Sequence, residues 1–131
     1  ASMSMGPALH LTLALDSVSS VRGDSDAIQR VIQNLITNAV EATDGAGTVT
    51  VRVCRQDGMV ACAVTDTGCG MTEEFVRNSL FVPFQTTKKG GWGIGLYQAR
   101  EIVTAHAGRI EISSQEGRGT TVTLLFPEEK P

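Results

Sequence analysis

From Asp24 to Thr43 the apolar residues Ile28, Val31, Ile32, Leu35, Ala39 and Ala42 recur at helical spacing, whereas on both sides of that stretch the spacing drops to two. This change of period constrains the fold more than any other feature, because a helical stripe cannot serve as a strand, nor an alternating run as a helix. Upstream, Leu9, Leu11, Leu13 and Leu15 alternate with other residues, which predicts a half-buried strand over Ala8 to Leu15 and then a short strand around Val18 to Arg22. Asp24 or Ser25 caps the helix, and Gly45 and Gly47 stop it. Downstream, Val49, Val51 and Val53, the turn Gln56-Asp57-Gly58, and Val60, Cys62 and Val64 predict a hairpin whose second strand delivers Asp66 to the mouth of a sheet.

From Thr72 to about Ser79 the residues suit a short helix, opened by Thr72, Glu73 and Glu74. The stretch from Phe81 to Gly91 mixes aromatic residues, a proline and glycines without periodicity, the composition of a lid loop. A helix from about Gly95 to Ala107 follows, then strands around Arg109 to Ser114 and Thr120 to Phe126, joined by the turn Glu116-Gly117-Arg118-Gly119. The order strand, helix, hairpin, lid, helix, hairpin is not the regular alternation of a parallel sheet and predicts an α+β sandwich. The 131 residues suit one domain, expected over 8–127, with 1–7 as a scar or linker and 128–131 as a tail.

Composition excludes several classes of function. A net charge of −3 without any run of Lys or Arg speaks against a nucleic-acid surface or an acidic-lipid patch. No apolar stretch approaches the ~20 residues that span a bilayer, so no direct membrane contact is expected. Cys54, Cys62 and Cys69 are odd in number and lack CxxC spacing or a paired His, which supports neither a disulfide framework nor a zinc site and fits a reducing cytoplasm. Cys69, between two glycines, is a small loop filler unless folding brings Lys or Arg close enough to lower its pKa. His10 and His106 have no carboxylate neighbours in sequence and read as structural.

The chemistry lies in two glycine-rich stretches, Asp66-Thr67-Gly68-Cys69-Gly70 and Gly91-Trp92-Gly93-Ile94-Gly95-Leu96, downstream of a helix carrying Asn34 and Asn38. An Asp at a strand end accepts a hydrogen bond from an adenine amino group, and glycines let backbone approach a ligand and aim N–H groups at phosphate. At about 100° per residue, Asn34, Asn38 and Glu41 fall within about 60° of one another beside the apolar stripe, a polar edge expected to face out of the core. A neutral Asn oxygen is a suitable hard ligand for Mg²⁺, which shares its shell with substrate phosphates. Taken singly, these features have plainer readings, a solvated helix flank and an ordinary turn. The Gly91 to Leu96 loop differs, because it opens a helix whose free N–H groups and dipole make an anion site. It has no Gly-Lys-Ser or Gly-Lys-Thr, and no strand precedes it as a dinucleotide fingerprint requires. Lys88 and Lys89 are either solvated lid charges or point-charge clamps on phosphate. Trp92 suits stacking on a ligand or anchoring the lid, while Phe81 and Phe84 read as lid anchors.

These residues match a family. Asn34-Leu35-Ile36-Thr37-Asn38-Ala39 resembles the N box, Asp66 to Gly70 the G1 box, Phe81-Val82-Pro83-Phe84 the F box, and Gly91 to Leu96 the G2 box of the catalytic ATP-binding domain of bacterial sensor histidine kinases. That domain belongs to the superfamily of gyrase, Hsp90, histidine kinases and MutL. The resemblance covers about Leu9 to Phe126 and implies a Bergerat-type two-layer sandwich, a mixed sheet with helices on one face and an ATP lid. It further implies that Asn38 binds Mg²⁺ and that Asn34 assists at the metal or phosphates, with Glu41 beside them. Asp66 would read the adenine amino group, Gly68 and Gly70 shape the adenine side, and Thr120 support that end through a water or Asp66. Gly91, Gly93, Gly95 and the Leu96 amide would cradle phosphate, with Lys88 as a clamp. Phe84-Gln85-Thr86-Thr87-Lys88 and Gly95-Leu96-Tyr97-Gln98-Ala99-Arg100-Glu101 look most like nitrogen-regulation-type kinases and the sensor kinases of PEP-CTERM systems.

Hydrolytic members of the superfamily carry a Glu at the position matching Asn34, and an amide cannot accept the proton of an attacking water. The helix is therefore suited to hold Mg·ATP for transfer of the γ-phosphoryl group to a protein side chain. Neither His10 nor His106 resembles the acceptor box, so the expected partners are a dimeric phosphoacceptor domain bearing the acceptor His and a response regulator. The alternatives are an anti-sigma-factor serine kinase of the same fold, which resembles the hydrolytic members in having Glu at that position, and a non-catalytic nucleotide-dependent interaction module.

Overall fold

Three helices pack on one face of a mixed sheet in the computed structural model, which describes residues 2–4, 8–15, 25–44, 46–78 and 92–128. The strands are β1 (Ser2–Ser4), β2 (Ala8–Leu15), β3 (Ala46–Gln56), β4 (Met59–Asp66), β5 (Arg109–Gln115) and β6 (Gly119–Pro127), in the spatial order β1-β2-β3-β4-β6-β5. The helices are α1 (Ser25–Ala42), α2 (Glu73–Asn78) and α3 (Trp92–Ala105). Because α1 crosses over between β2 and β3, those two strands run parallel, while every other pair is antiparallel. This is the α+β architecture that the order of periods predicts. The expected short strand at Val18 to Arg22, the cap at Asp24, and the lid with Phe81, Phe84, Lys88, Lys89 and Gly91 lie outside the described residues. Ser2–Ser4, expected to be part of a scar or linker, pairs with β2 as the edge strand.

Strand alternation decides which residues meet the helices. Val49, Val51, Cys62, Val64, Val122, Leu124 and Phe126 turn inward and meet Val31, Leu35, Ala39 and Ala42 of α1 and Leu96, Ala99 and Val103 of α3 in one core. Fully burying side chains such as Leu35 and Leu96 contributes about 1.5–3 kcal/mol each. The β3–β4 hairpin closes through Asp57 (φ 52°) and Gly58 (φ 75°), the two left-handed residues of a type I′ turn. The register this fixes sets Asp66 between Val49 on β3 and Thr120 on β6.

Both ends of α3 differ from expectation. The helix starts at Trp92, three residues before Gly95, so part of the second glycine-rich stretch is its first turn and not a loop. It stops at Ala105, short of Ala107, where the Gly108 N–H bonds to the Val103 carbonyl (2.9 Å) and the Ala107 N–H to that of Thr104 (3.1 Å). This closure puts Ala107 in the left-handed region (φ 60°), which ends the helix. His106 is structural, its Nδ1 lying 2.7 Å from the Ile102 carbonyl and its ring standing edge-on to Phe126.

Candidate functional site

Asp66, the last residue of β4, is 2% exposed. Its Oδ1 accepts the Gly68 N–H at 2.8 Å, and its Oδ2 is buried with no hydrogen-bond partner among the described residues. Burial pushes the carboxyl pKa up, while the facing backbone amides of Gly68 and Thr120 pull it down. A buried carboxylate oxygen without a protein partner is an acceptor open to a group that brings a donor.

The loop after Asp66 is held from three directions. Towards β3, the Thr67 N–H bonds to the Thr48 carbonyl and the Thr48 N–H to Thr67 Oγ1 (2.9 Å). Towards α1, the Cys69 N–H reaches the Ala42 carbonyl (3.1 Å), one of the acceptors a helix leaves free at its C-terminus. Towards the β5–β6 hairpin, Gly117 donates to the Cys69 carbonyl (2.7 Å) and Met71 to Ser114 Oγ (2.8 Å). Two glycines make this clamp possible. A Cβ at Gly68 would lie 2.3 Å from the Ala42 oxygen, and one at Gly70, where φ is +68°, would lie 2.1 Å from the Gln115 oxygen. In this structure these glycines admit other parts of the protein backbone, and so set the course of the loop that carries Asp66.

Thr120, 2% exposed, pairs directly with Asp66 across β4 and β6. A cavity of about 360 Å³ at this end of the sheet is lined by Asp66, Ser114 and Thr120 together with Thr65 and Thr121 of the other face. Ser114 was not expected to contribute, although the alternation Ile110, Ile112, Ser114 places a polar residue at an inward position of β5. That out-of-pattern hydroxyl was the available signal.

On α1 the polar edge divides. Asn34 and Glu41 are exposed as expected, but Asn38 is 7% exposed, and its Nδ2 is buried with no partner among the described residues. The correction follows from helix geometry, since at about 100° per residue Asn38 stands about 60° from Leu35 and about 40° from Ala42, within the core-facing sector. Asn34 lines a groove of about 280 Å³ between α1 and α3 with Arg30, Val31, Gln98, Glu101 and Ile102. On α3, Gly93 and Gly95 belong to the first turns and Leu96 is fully buried. A helix that starts at Trp92 directs the Leu96 N–H to the carbonyl four residues back, so the free amides are those of the first turn. Asp66, Gly68, Gly70 and Thr120 thus come together around the sheet mouth, with Asn38 one turn before Ala42, while Asn34 and Glu41 stand on the exposed side of α1. Lys88 and Gly91 lie outside the described residues.

Among the described residues no three His, Cys, Asp or Glu side chains gather as a metal site, no helix is long and apolar enough to cross a membrane, and Cys54, Cys62 and Cys69 are free. A family profile described as histidine kinase-, DNA gyrase B- and HSP90-like ATPase matches residues 23–130. Sensor histidine kinase ZraS of Escherichia coli K12 is 36% identical over 114 residues, which make up 87% of this chain and 24% of that protein. Sporulation kinase A of Bacillus subtilis is 36% identical over 109 residues, 83% of this chain and 18% of that protein. The chain therefore spans about a quarter or less of the length of these relatives. Among solved structures, the nucleotide-free catalytic domain of histidine kinase ThkA superposes with a TM-score of 0.79 at 30% identity, covering 92% of this chain and 80% of that one. Full-length ShkA in complex with AMPPNP superposes with a TM-score of 0.81 at 25% identity, covering 94% of this chain and 26% of that one.

Proposed function

The chain belongs to the histidine kinase-, DNA gyrase B- and HSP90-like ATPase family, and from that membership we propose that it binds Mg·ATP and donates the γ-phosphoryl group to a histidine on a separate phosphoacceptor domain. The observation that carries this reading is Asp66, a buried carboxylate with one oxygen lacking a partner among the described residues, at the start of a glycine-clamped loop. An exocyclic amino group is the donor such an oxygen lacks. In this reading Asp66 accepts from adenine, Thr120 supports the base beside it, and Gly68 and Gly70 hold the loop.

Asn38 is buried on the side of α1 that meets the core, and its oxygen would be the hard, neutral ligand that Mg²⁺ takes beside phosphates and water, while its Nδ2, a donor without a partner among the described residues, would suit a phosphate oxygen. When bound, Mg²⁺ supplies charge that offsets the phosphate oxygens. Asn34 and Glu41 flank that position on α1, and the first turns of α3, with Gly93 and Gly95, offer amides and a helix dipole to phosphate. Lys88 and Gly91 complete the phosphate end in this proposal. An amide at Asn34 leaves no general base for water, which favours transfer over hydrolysis and separates this chain from the anti-sigma-factor kinases.

The partners proposed are the dimerisation and phosphoacceptor domain of a longer sensor kinase and, beyond it, a response regulator. A cytoplasmic position goes with them, supported by the free cysteines. The finer likeness to nitrogen-regulation-type or PEP-CTERM-system kinases is proposed on the residues Phe84 to Lys88 and Gly95 to Glu101. Calorimetric titration with ATP, ADP and GTP, with and without Mg²⁺, tests the pocket, and phosphotransfer to a supplied histidine-bearing hairpin tests the reaction. Adenine-selective binding strengthened by Mg²⁺ for ATP, followed by transfer, is expected. A folded sample that binds no nucleotide overturns the proposal, and binding without any transfer leaves the interaction module as its replacement.

A further inference from the structure

The groove of about 280 Å³ between α1 and α3 shares no lining residue with the cavity at the mouth of the sheet. Its floor is apolar, the buried Val31 and the half-buried Ile102, and its rim is polar, with Arg30 and Asn34 exposed on α1 and Gln98 and Glu101 exposed on α3. None of these four rim side chains has a hydrogen-bond or ion-pair partner among the described residues. An apolar floor inside a polar rim is the anatomy of a protein contact site. The volume falls just below the about 300–1,000 Å³ of small-molecule sites and suits one or two anchoring side chains of a partner. The position of the groove along the helices points to which partner. Asn34 is one turn before Asn38, about 6 Å along α1, and Gln98 is about one turn past Gly95 on α3. Both walls therefore run on from the residues proposed to hold Mg²⁺ and phosphate. A nucleophile that attacks the γ-phosphoryl group has to come within about 3–3.5 Å of it, so the domain that carries it lies against the surface beside the phosphate end. The chain spans about a quarter or less of the length of its relatives, which leaves room for that domain outside it.

We infer that the α1–α3 groove seats a helix of the phosphoacceptor domain, and that Arg30 and Glu101 set the direction in which it docks. A groove between two helices accepts the side-chain ridge of a third. The docked helix lays an apolar side chain over Val31 and Ile102, an acidic one toward Arg30 and a basic one toward Glu101. Because the two walls carry opposite charges, a helix laid in the reverse direction brings like charges together. This inference deepens the phosphotransfer reading and rests on it.

The test is phosphotransfer from Mg·ATP to the histidine-bearing hairpin of the longer kinase, over a range of hairpin concentrations, for the wild type, Arg30→Glu, Glu101→Lys and Gln98→Trp. Calorimetric titration with Mg·ATP accompanies it. Each charge reversal is expected to raise the KM for the hairpin about tenfold, with kcat and Mg·ATP affinity unchanged. Gln98→Trp, which fills the groove, is expected to raise that KM at least as far. Added salt should raise the KM of the wild type more than that of the charge variants. A KM equal to wild type in all three variants overturns the inference. So does an Mg·ATP affinity that falls in step with transfer, because the groove then belongs to the nucleotide. Sedimentation that finds the wild type paired with itself and the variants single, with the KM unchanged, overturns it in favour of a second copy of the chain. All three positions are exposed, and should Gln98→Trp fail to fold, the two charge variants carry the comparison. A wild type that binds no Mg·ATP, or binds it and transfers nothing, refutes the phosphotransfer reading before any variant is compared, and this inference falls with it.

Discussion

Replacing Asp66 by Asn should make the empty domain more stable and the nucleotide weaker, two opposite effects of one buried oxygen. In the folded chain Oδ2 is buried and without a partner among the described residues, and burial raises the carboxyl pKa from its ordinary value of 3.8. A folded state that holds the proton more tightly than the unfolded chain is favoured below the unfolded pKa and loses that advantage as pH rises through the folded one. The side-chain amide of the Asp66→Asn variant has no such titration. The stability gap between variant and wild type should therefore be small near pH 4, widen as pH rises, and then level off. Leaving a buried polar group unsatisfied costs about 1–3 kcal/mol. The amide nitrogen introduced by the substitution also lacks a partner, so only the part due to charge is relieved, about 1–2 kcal/mol, or a few degrees in Tm. Hydrogen bonds to charged groups contribute about 1.5–3 kcal/mol, so ATP affinity should fall by about 10- to 150-fold. Denaturant unfolding of both proteins between about pH 4 and 8 measures the first effect, since titrations elsewhere cancel in the difference. Calorimetry measures the second. A gap that stays constant with pH, or a wild type that gains on the variant as pH rises, refutes the account of the carboxyl group. Unchanged ATP affinity refutes its role with adenine.

Gly70→Ala should destabilise the fold by about 2 kcal/mol or more, because a Cβ there meets the Gln115 backbone oxygen at a left-handed φ; unchanged denaturation would show that the loop is not pressed against the hairpin. Asn38→Ala should remove the strengthening of ATP binding by Mg²⁺ while leaving metal-free binding in place, and titration with and without a chelator decides it. A Mg²⁺ effect equal to wild type rules Asn38 out of the metal shell. Burial, aided by Cys54, pushes the Cys62 thiol up to about 11, so brief alkylation of the native chain at mildly alkaline pH should mark Cys54 and Cys69 and spare Cys62 until denaturant is added. Peptide mapping that finds Cys62 labelled at the same rate contradicts its placement in the core.

What was legible in the sequence follows from how local its cause is. The Asp57-Gly58 turn and the alternating valines of β3 act within a few residues, and the hairpin that presents Asp66 could be read from them directly. The start of α3 could not. Gly93 and Gly95 each disfavour a helix interior by about 1 kcal/mol, which moved the expected start to Gly95, yet Leu96, Ala99 and Val103 are buried against α1 and the sheet and carry the helix back to Trp92. Tertiary packing outweighed local propensity there. Asn38 was misplaced for a related reason, since the polarity of a side chain suggested an outward position, whereas about 40° from Ala42 it falls on the side of α1 that meets the core.

The glycines show the same division most clearly. Gly68, Gly70 and Gly119 were legible as residues of a ligand-binding loop and its supporting turn, but the atoms that require them are the backbone oxygens of Ala42, Gln115 and Asp66, each far away along the chain or across the sheet. A composition rich in glycine is shared by a loop that wraps a phosphate and a loop wedged between protein backbones, and only the fold tells them apart. The consequence for function is direct. Asp66 and Thr120, the groups proposed to face the base, announce themselves by residue type, whereas the course of the loop after Asp66 depends on the Met71–Ser114 bond and three close backbone contacts that no local pattern exposes. The Asp66 loop is therefore held by the β5–β6 hairpin as much as by the boxes that name the family, and substitutions that break the Gly117–Cys69 or Met71–Ser114 bond should weaken nucleotide binding without touching any box.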